Sequence, residues 1–156
     1  GVWCYRNKIK KLDIQVCTQL EKLDCRNNQI SGLRLSSLTK LQELYCTNNP
    51  IQQLELRGCP ELNWLQCYNT KLTELDLSNN KKLYCIECSR TSITELDLLG
   101  LKELGVLYCD KSVKVKKDHK ISIYRKFYYS EIPNIDLAEF MELYTNDSEY
   151  KEYKGI

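Results

Sequence analysis

Nine cysteines are the residues most suggestive of chemistry in this 156-residue chain. Thiols could form disulfides, hold a metal or act as nucleophiles. Cys85 and Cys88 spell Cys-x-x-Cys, the spacing of redox and zinc pairs. His119 is the only histidine, so an acid–base or nucleophilic set would have to be built on it. No Ser/His/Asp order, phosphate-cradling glycine loop or histidine-rich metal motif accompanies it. The expectation is a chain that is not an enzyme and takes no metal or cofactor, with His119 on its surface.

Spacing decides what the thiols do. Cys4, Cys25, Cys46, Cys67, Cys88 and Cys109 recur at intervals of 21 residues, as do Leu20, Leu41, Leu62, Leu83 and Leu104. The units begin LEKLDCRNNQI, LQELYCTNNPI, LNWLQCYNTKL, LYCIECSRTSI and LGVLYCDKSVK, and VWCYRNKI falls into the same register from Val2. Their common pattern is LxxLxCxxNxL. A second apolar pair follows in each unit, among them Leu33 with Leu35, Leu54 with Leu56 and Leu75 with Leu77. Fixed-period self-similarity of this length is the signature of a solenoid. In Leu44–Tyr45–Cys46–Thr47 the alternation has period two, so Leu44 and Cys46 enter the core while Tyr45 and Thr47 face away, on one strand per turn. Stacked turns make a parallel sheet with strands roughly 4.8 Å apart, and about six turns would span about 25 to 30 Å.

Six cysteines therefore share one inward position. Parallel neighbours at roughly 4.8 Å are farther apart than the about 3.5–4.5 Å between Cβ atoms of a relaxed disulfide. A line of thiols also lacks the tetrahedral convergence zinc needs. The ladder is expected to be buried, reduced and inert, each thiol a small hydrophobe. Residues three apart on a strand lie on opposite faces, which puts Cys88 in the ladder and Cys85 outside, where it is expected to be the one exposed thiol of the sheet. Cys17 and Cys59 share a position with Leu38 and Leu101 and should pack.

These repeats resemble the leucine-rich repeat family, in the 21-residue cysteine-ladder form of internalin-type bacterial surface proteins. The resemblance covers residues 2 to about 112. It departs from the pattern at Thr70, Thr91 and Ser112, where Asn7, Asn28 and Asn49 set the asparagine position. A hydroxyl supplies only part of the hydrogen bonding a carboxamide offers a turning backbone, so the later turns should be weaker there. The resemblance implies a mainly β leucine-rich-repeat solenoid, a curved right-handed coil, acting as a binding module at the cell surface or after secretion.

Outward strand positions collect on one face, expected to be concave. They include Trp3, Tyr5, Asp24, Arg26, Tyr45, Trp64, Gln66, Tyr68, Glu87 and Tyr108. Aromatics with a polar rim suit a binding hot spot, because Trp and Tyr cover much area while losing few rotamers. The alternative is that aromatics simply favour strands. Tyr45, Trp64, Gln66, Tyr68, Glu87, Tyr108, Asp24 and Arg26 are the candidate binding residues for a protein ligand. A glycan stacking on the same rings, or a structural spacer with no ligand, are the alternatives. The second run of each turn shows Glu55, Glu74, Asp76, Glu95 and Asp97 outward, read as a solvated stripe rather than a cation site.

After Cys109 the pattern dissolves. Residues 113–126 carry six basic side chains against Asp118, and residues 127–156 carry seven acids against Lys151 and Lys154, which suggests internal pairing. Val113, Val115, Ile121 and Ile123 alternate with lysines, read as one or two strands with a hairpin near Lys117–Lys120. IDLAEFMELY has Leu137, Phe140, Met141 and Tyr144 at helix spacing. The expected division is repeats over 2–112, a small strand-plus-helix cap over 113–145 that seals the last turn, and a polar tail over 146–156. The first turn has no such cap, so Val2, Cys4, Ile9 and Leu12 are expected to be exposed unless something upstream covers them; Gly1 is a candidate cloning remnant. A net charge of +2 gives no reason to expect nucleic acid or a membrane surface. No stretch approaches the roughly 18 apolar residues of a membrane span, and the first residues lack a signal-peptide layout.

Overall fold

The computed structural model describes residues 1–124. Eleven short strands occur there: β1 (Val2–Trp3), β2 (Lys22–Asp24), β3 (Gly32–Arg34), β4 (Glu43–Tyr45), β5 (Gln53–Glu55), β6 (Trp64–Gln66), β7 (Cys85–Glu87), β8 (Glu95–Asp97), β9 (Val106–Tyr108), β10 (Lys114–Lys116) and β11 (Ser122–Tyr124). The first strand of each turn stacks on that of the next, giving a seven-stranded parallel sheet in the order β1-β2-β4-β6-β7-β9-β11. Leu23, Leu44, Leu65, Ile86 and Leu107 are consecutive partners across it, so the 21-residue period of the sequence is also the register of the sheet. The second apolar run makes a narrower flank. It consists of two separate pairs, β3 with β5 and β8 with β10, and the turn between them has no strand at residues 74–76.

A single apolar column runs up the coil. Leu23, Leu44, Leu65, Ile86 and Leu107 are fully buried, packed with Cys25, Cys46, Cys67, Cys88 and Cys109 and with the leucines of the flank. One 21-residue turn has no second layer of its own, so this burial exists only because turns stack. The first turn has a neighbour on one side only: Val2, Cys4, Ile9, Leu12 and Cys17 are half-buried against the core rather than fully exposed.

Each of the first five turns changes direction through a residue in the left-handed region, at Arg6, Asn27, Asn48, Asn69 and Arg90, with φ between 52° and 56°. Asparagine is the side chain best suited there after glycine. The three asparagines also bond to one another, Asn48 Nδ2 donating to Asn27 Oδ1 at 2.9 Å and Asn69 Nδ2 to Asn48 Oδ1 at 2.8 Å. One residue further on, the expected asparagine ladder is present. Asn49 Nδ2 donates to the carbonyls of Cys25, Cys46 and Thr47, and its Oδ1 accepts from Ile30 N. Asn28 does the same one turn earlier. Thr70 Oγ1 instead donates only to Cys67 O within its own turn, and Thr91 Oγ1 donates to Cys88 O and accepts from Ile93 N. The bond to the preceding turn is missing from both, as the shorter hydroxyl requires.

The hairpin expected near Lys117–Lys120 does not form. β10 adds in parallel to β8 on the flank, and β11 adds in parallel to β9 on the main sheet. Residues 113–124 thus wind one more, shortened turn: Ile123 pairs with Leu107, 16 positions back rather than 21. The helix read over IDLAEFMELY and the polar tail lie outside the described residues.

Candidate binding face

Alternation along the strands delivers the candidate residues to one face. Asp24, Tyr45, Gln66, Glu87 and Tyr108 are register partners in a single row, and Tyr124 continues it, its ring stacked on that of Tyr108 at 4.8 Å. Beside them run Lys22, Glu43, Trp64, Cys85 and Val106. Tyr124 was absent from the sequence-based set; the Ile121-x-Ile123 alternation that places it outward was the available signal.

The face is more tightly filled than alternation alone suggests. Asp24, Tyr45, Gln66, Glu87 and Tyr108 are buried, while Arg26, Trp64 and Tyr68 are half-buried. Tyr45, Cys85 and Tyr108 do not belong to the internal apolar column; on the outer face Arg26 lies over the Tyr45 ring and Tyr124 stacks on Tyr108. The same crowding overturns one expectation. Cys85, set between Trp64 and Val106, is buried, not exposed. The aromatics that stand most clear are Trp3 and Tyr5 in the first turn, and Tyr84.

Polar partners organise the early part of the face. Arg26 Nε donates to Asp24 Oδ1 at 2.9 Å and its terminal nitrogen to Oδ2 at 2.6 Å, a two-pronged pair, and the guanidinium lies 5.4 Å from the centre of the Tyr45 ring. Tyr45 Oη donates to Glu43, which also pairs with Lys22. Further along, Glu87 Oε1 accepts from Ser89 N at 3.0 Å and Ser89 Oγ at 2.7 Å. Glu87 Oε2 is buried with no hydrogen-bond partner, and so is Trp64 Nε1. Burial above all, with the Asp110 carboxyl nearby, pushes the Glu87 carboxyl from 4.5 up to about 7, against the two hydrogen bonds from Ser89.

Among the described residues reactive groups do not converge. All nine cysteines are free thiols. Burial pushes Cys25 up to about 12, Cys59 up to about 11, and Cys46, Cys67, Cys85 and Cys88 upward as well, so at neutral pH they are protonated and poorly nucleophilic. His119 bonds Asp118 Oδ1 at 3.0 Å and Leu104 O at 3.1 Å, with no hydroxyl or thiol against it in that pair of contacts. Among the described residues no three His, Cys, Asp or Glu side chains gather as metal ligands, and no helix is long and apolar enough to cross a membrane.

A parallel coil that adds one strand per turn to its main sheet and, in several turns, a second to its flank, with leucine rungs, a thiol column and an asparagine ladder, is a leucine-rich-repeat solenoid. Residues 18–58 match the family model described as leucine rich repeats in two copies. Among solved structures, the chain is similar to the functional domain of InlJ from Listeria monocytogenes, which includes a cysteine ladder: 31% identity, TM-score 0.67, covering 87% of this chain and 31% of that one. It is similar to InlF, an internalin from Listeria monocytogenes str. 4b F2365, at 26% identity and TM-score 0.62, covering 71% of this chain and 34% of that one. A third likeness is to TLR13 in its complex with ssRNA13, at 26% identity and TM-score 0.57, covering 67% of this chain and 18% of the other. No curated protein sequence matches. The fold is that of a leucine-rich-repeat protein similar to the internalin-like, cysteine-ladder form, and the chain spans about a third or less of the length of these neighbours.

Proposed function

We propose that this chain is a non-catalytic protein-recognition module of a bacterial cell-surface or secreted protein, and that it binds its protein ligand on the outer face of the seven-stranded sheet. The observation that carries this reading is the in-register gathering of Asp24, Tyr45, Gln66, Glu87 and Tyr108 on adjacent strands, flanked by Arg26, Trp64 and Tyr68. Rigid parallel strands fix these side chains before any ligand arrives, which lowers the ordering cost of association. Trp64 and Tyr68 are the natural anchors, half-buried so that each ring is held in place while part of it remains available. Surface or secreted location is supported by the likeness to InlJ and InlF.

The test is affinity capture from bacterial and host-cell surface extracts, read by mass spectrometry, with the wild-type chain and a Trp64→Ser/Tyr68→Ser variant whose melting curve shows it folded. Proteins captured by the wild type should be lost with the variant. Identical capture by both would overturn the reading.

A further inference from the structure

Away from the sheet face, a groove of about 620 Å³ opens on the flank at the start of the coil, lined by Lys10, Lys11, Gly32, Leu33, Arg34 and Gln53 among others. The second and third turns are tied together there: Gln52 N donates to Ser31 O at 2.9 Å, and β5 pairs with β3. The first and second are not. Residues 10–15 form no strand, and among the described residues no backbone hydrogen bond joins them to residues 31–34. Gly32 adds to the opening. Lys11, Gln53, Glu74 and Glu95 hold its repeat position in other turns, and a Cβ on Gly32 would meet nothing nearer than Gln53 O at 3.8 Å, so crowding does not demand glycine. An exposed strand glycine with open space above it is a place where another backbone can come close.

The cations beside this opening are unmatched. Elsewhere on the flank Arg57 pairs with Asp76, Lys82 with Glu61 and Lys116 with Glu95 across turns. Lys10, Lys11 and Arg34 are exposed, and among the described residues none of them makes an ion pair. Two acids also line the groove. Asp13 serves its own turn, its Oδ1 accepting from Gln15 N at 3.3 Å, and Glu55, the register partner of Arg34, stands two turns on from Lys10 and Lys11, roughly 10 Å away along the stack. From the open backbone and the unanswered charge together, we infer that the groove is a docking site for an extended acidic segment of a partner protein, its backbone lying over Gly32 and its carboxylates on Lys10, Lys11 and Arg34. The Arg34 fork matches a carboxylate with two donors, and the amides of Gln52 and Gln53 supply the donors and acceptors that a peptide backbone uses. A polysulfated sugar chain fits less well, because its charge would continue onto Glu55. The groove is on the flank, so its occupant does not rest on the role proposed for the sheet face.

The experiment titrates the isotope-labelled full chain with acetylated, amidated hexaglutamate at low salt, followed by NMR, with hexaglutamine as the uncharged control and a sulfated hexasaccharide as the rival polyanion. Backbone shifts should centre on Lys11, Gly32 and Arg34. Gly32→Gln gives the position the residue that Gln53 supplies one turn on, in space that accepts it, and leaves every cation in place. It should weaken hexaglutamate at least about tenfold, as should Lys10→Gln/Lys11→Gln/Arg34→Gln. Lys71→Gln/Lys81→Gln/Lys114→Gln removes the same charge from exposed lysines outside the groove and should weaken it less than about threefold. Equal binding by wild type and Gly32→Gln, equal damage from the two triple variants, or tighter binding of the sulfated hexasaccharide than of hexaglutamate overturns the inference. Trp64→Ser/Tyr68→Ser should bind hexaglutamate as the wild type does; loss of the probe in that variant would move the peptide to the sheet face and overturn the groove as its site.

Discussion

The early turns of this solenoid answer their own polar groups, and the later turns do not. Around Asn28 and Asn49 every side-chain nitrogen and oxygen is bonded to backbone, twice across to the preceding turn, and Asp24 has its arginine. Around Thr70 and Thr91 the cross-turn bonds from the side chain are gone, and Glu87 keeps an oxygen with no partner. The apolar column is the same in both halves. Leucine and cysteine rungs thus run unchanged along the coil, while the satisfaction of its polar groups varies from the early turns to the later ones.

Replacing asparagine in the early half should cost most. Asn49→Ala removes three bonds to carbonyls and leaves Ile30 N buried without an acceptor, a loss of roughly 3–5 kcal/mol. Thr70→Ala breaks one bond and should cost about 1 kcal/mol. Urea unfolding of the two variants measures the gap directly; equal losses would erase the distinction between the halves.

Glu87 should respond to pH in the sense opposite to a paired acid. Its folded value of about 7 lies above the ordinary 4.5, so the folded chain binds the proton more tightly than the unfolded one. The group's contribution is therefore most favourable at low pH and is lost as pH rises from about 4.5 through 7, by about 3 kcal/mol in all. Glu87→Gln should flatten that part of the stability profile and be the more stable form at pH 8. A wild-type profile with no loss between pH 5 and 8 attributable to Glu87 would show its carboxylate to be satisfied.

The smallest effect should come from ion pairs that bridge turns on the exposed flank. Arg57–Asp76 and Lys82–Glu61 are solvent-exposed at both ends, and Arg57→Ala or Lys82→Ala should shift stability by less than about 1 kcal/mol each. A larger loss from either would mean that exposed charge, not the asparagine ladder, distinguishes one turn from another.

Much of this was written in spacing. Leu, Cys and Asn at fixed 21-residue intervals gave the strands, their register and the buried column, because a translational repeat converts sequence position directly into spatial position. The shortened last turn escaped, since Ile123 lies 16 residues beyond Leu107 and a search in steps of 21 passes over it. The burial of Cys85 escaped for a different reason. Alternation tells which face a side chain takes, but not how far Trp64 and Val106 on the adjacent strands close over it. The contrast between Asp24-x-Arg26 and Glu87-x-Ser89 was present in the sequence all along, yet it acquires meaning only once hydrogen bonds show which oxygen each partner reaches.

The gap at residues 74–76 gives the coil unequal edges. The seven-stranded sheet is continuous, whereas strand pairing on the flank is confined to β3 with β5 and β8 with β10. Where the strand pairing lapses, single backbone bonds, Lys71 N to Ile51 O and Ser92 N to Leu72 O at 2.8 Å each, tie the turn to its neighbours, so that edge is the more lightly held. Flexing there would widen or narrow the spacing of the flank and alter the curvature of the opposite sheet without breaking any rung of it. A ligand that prefers one curvature could then be accommodated by a pivot in a single turn, at low elastic cost, while the thiol column stays dry.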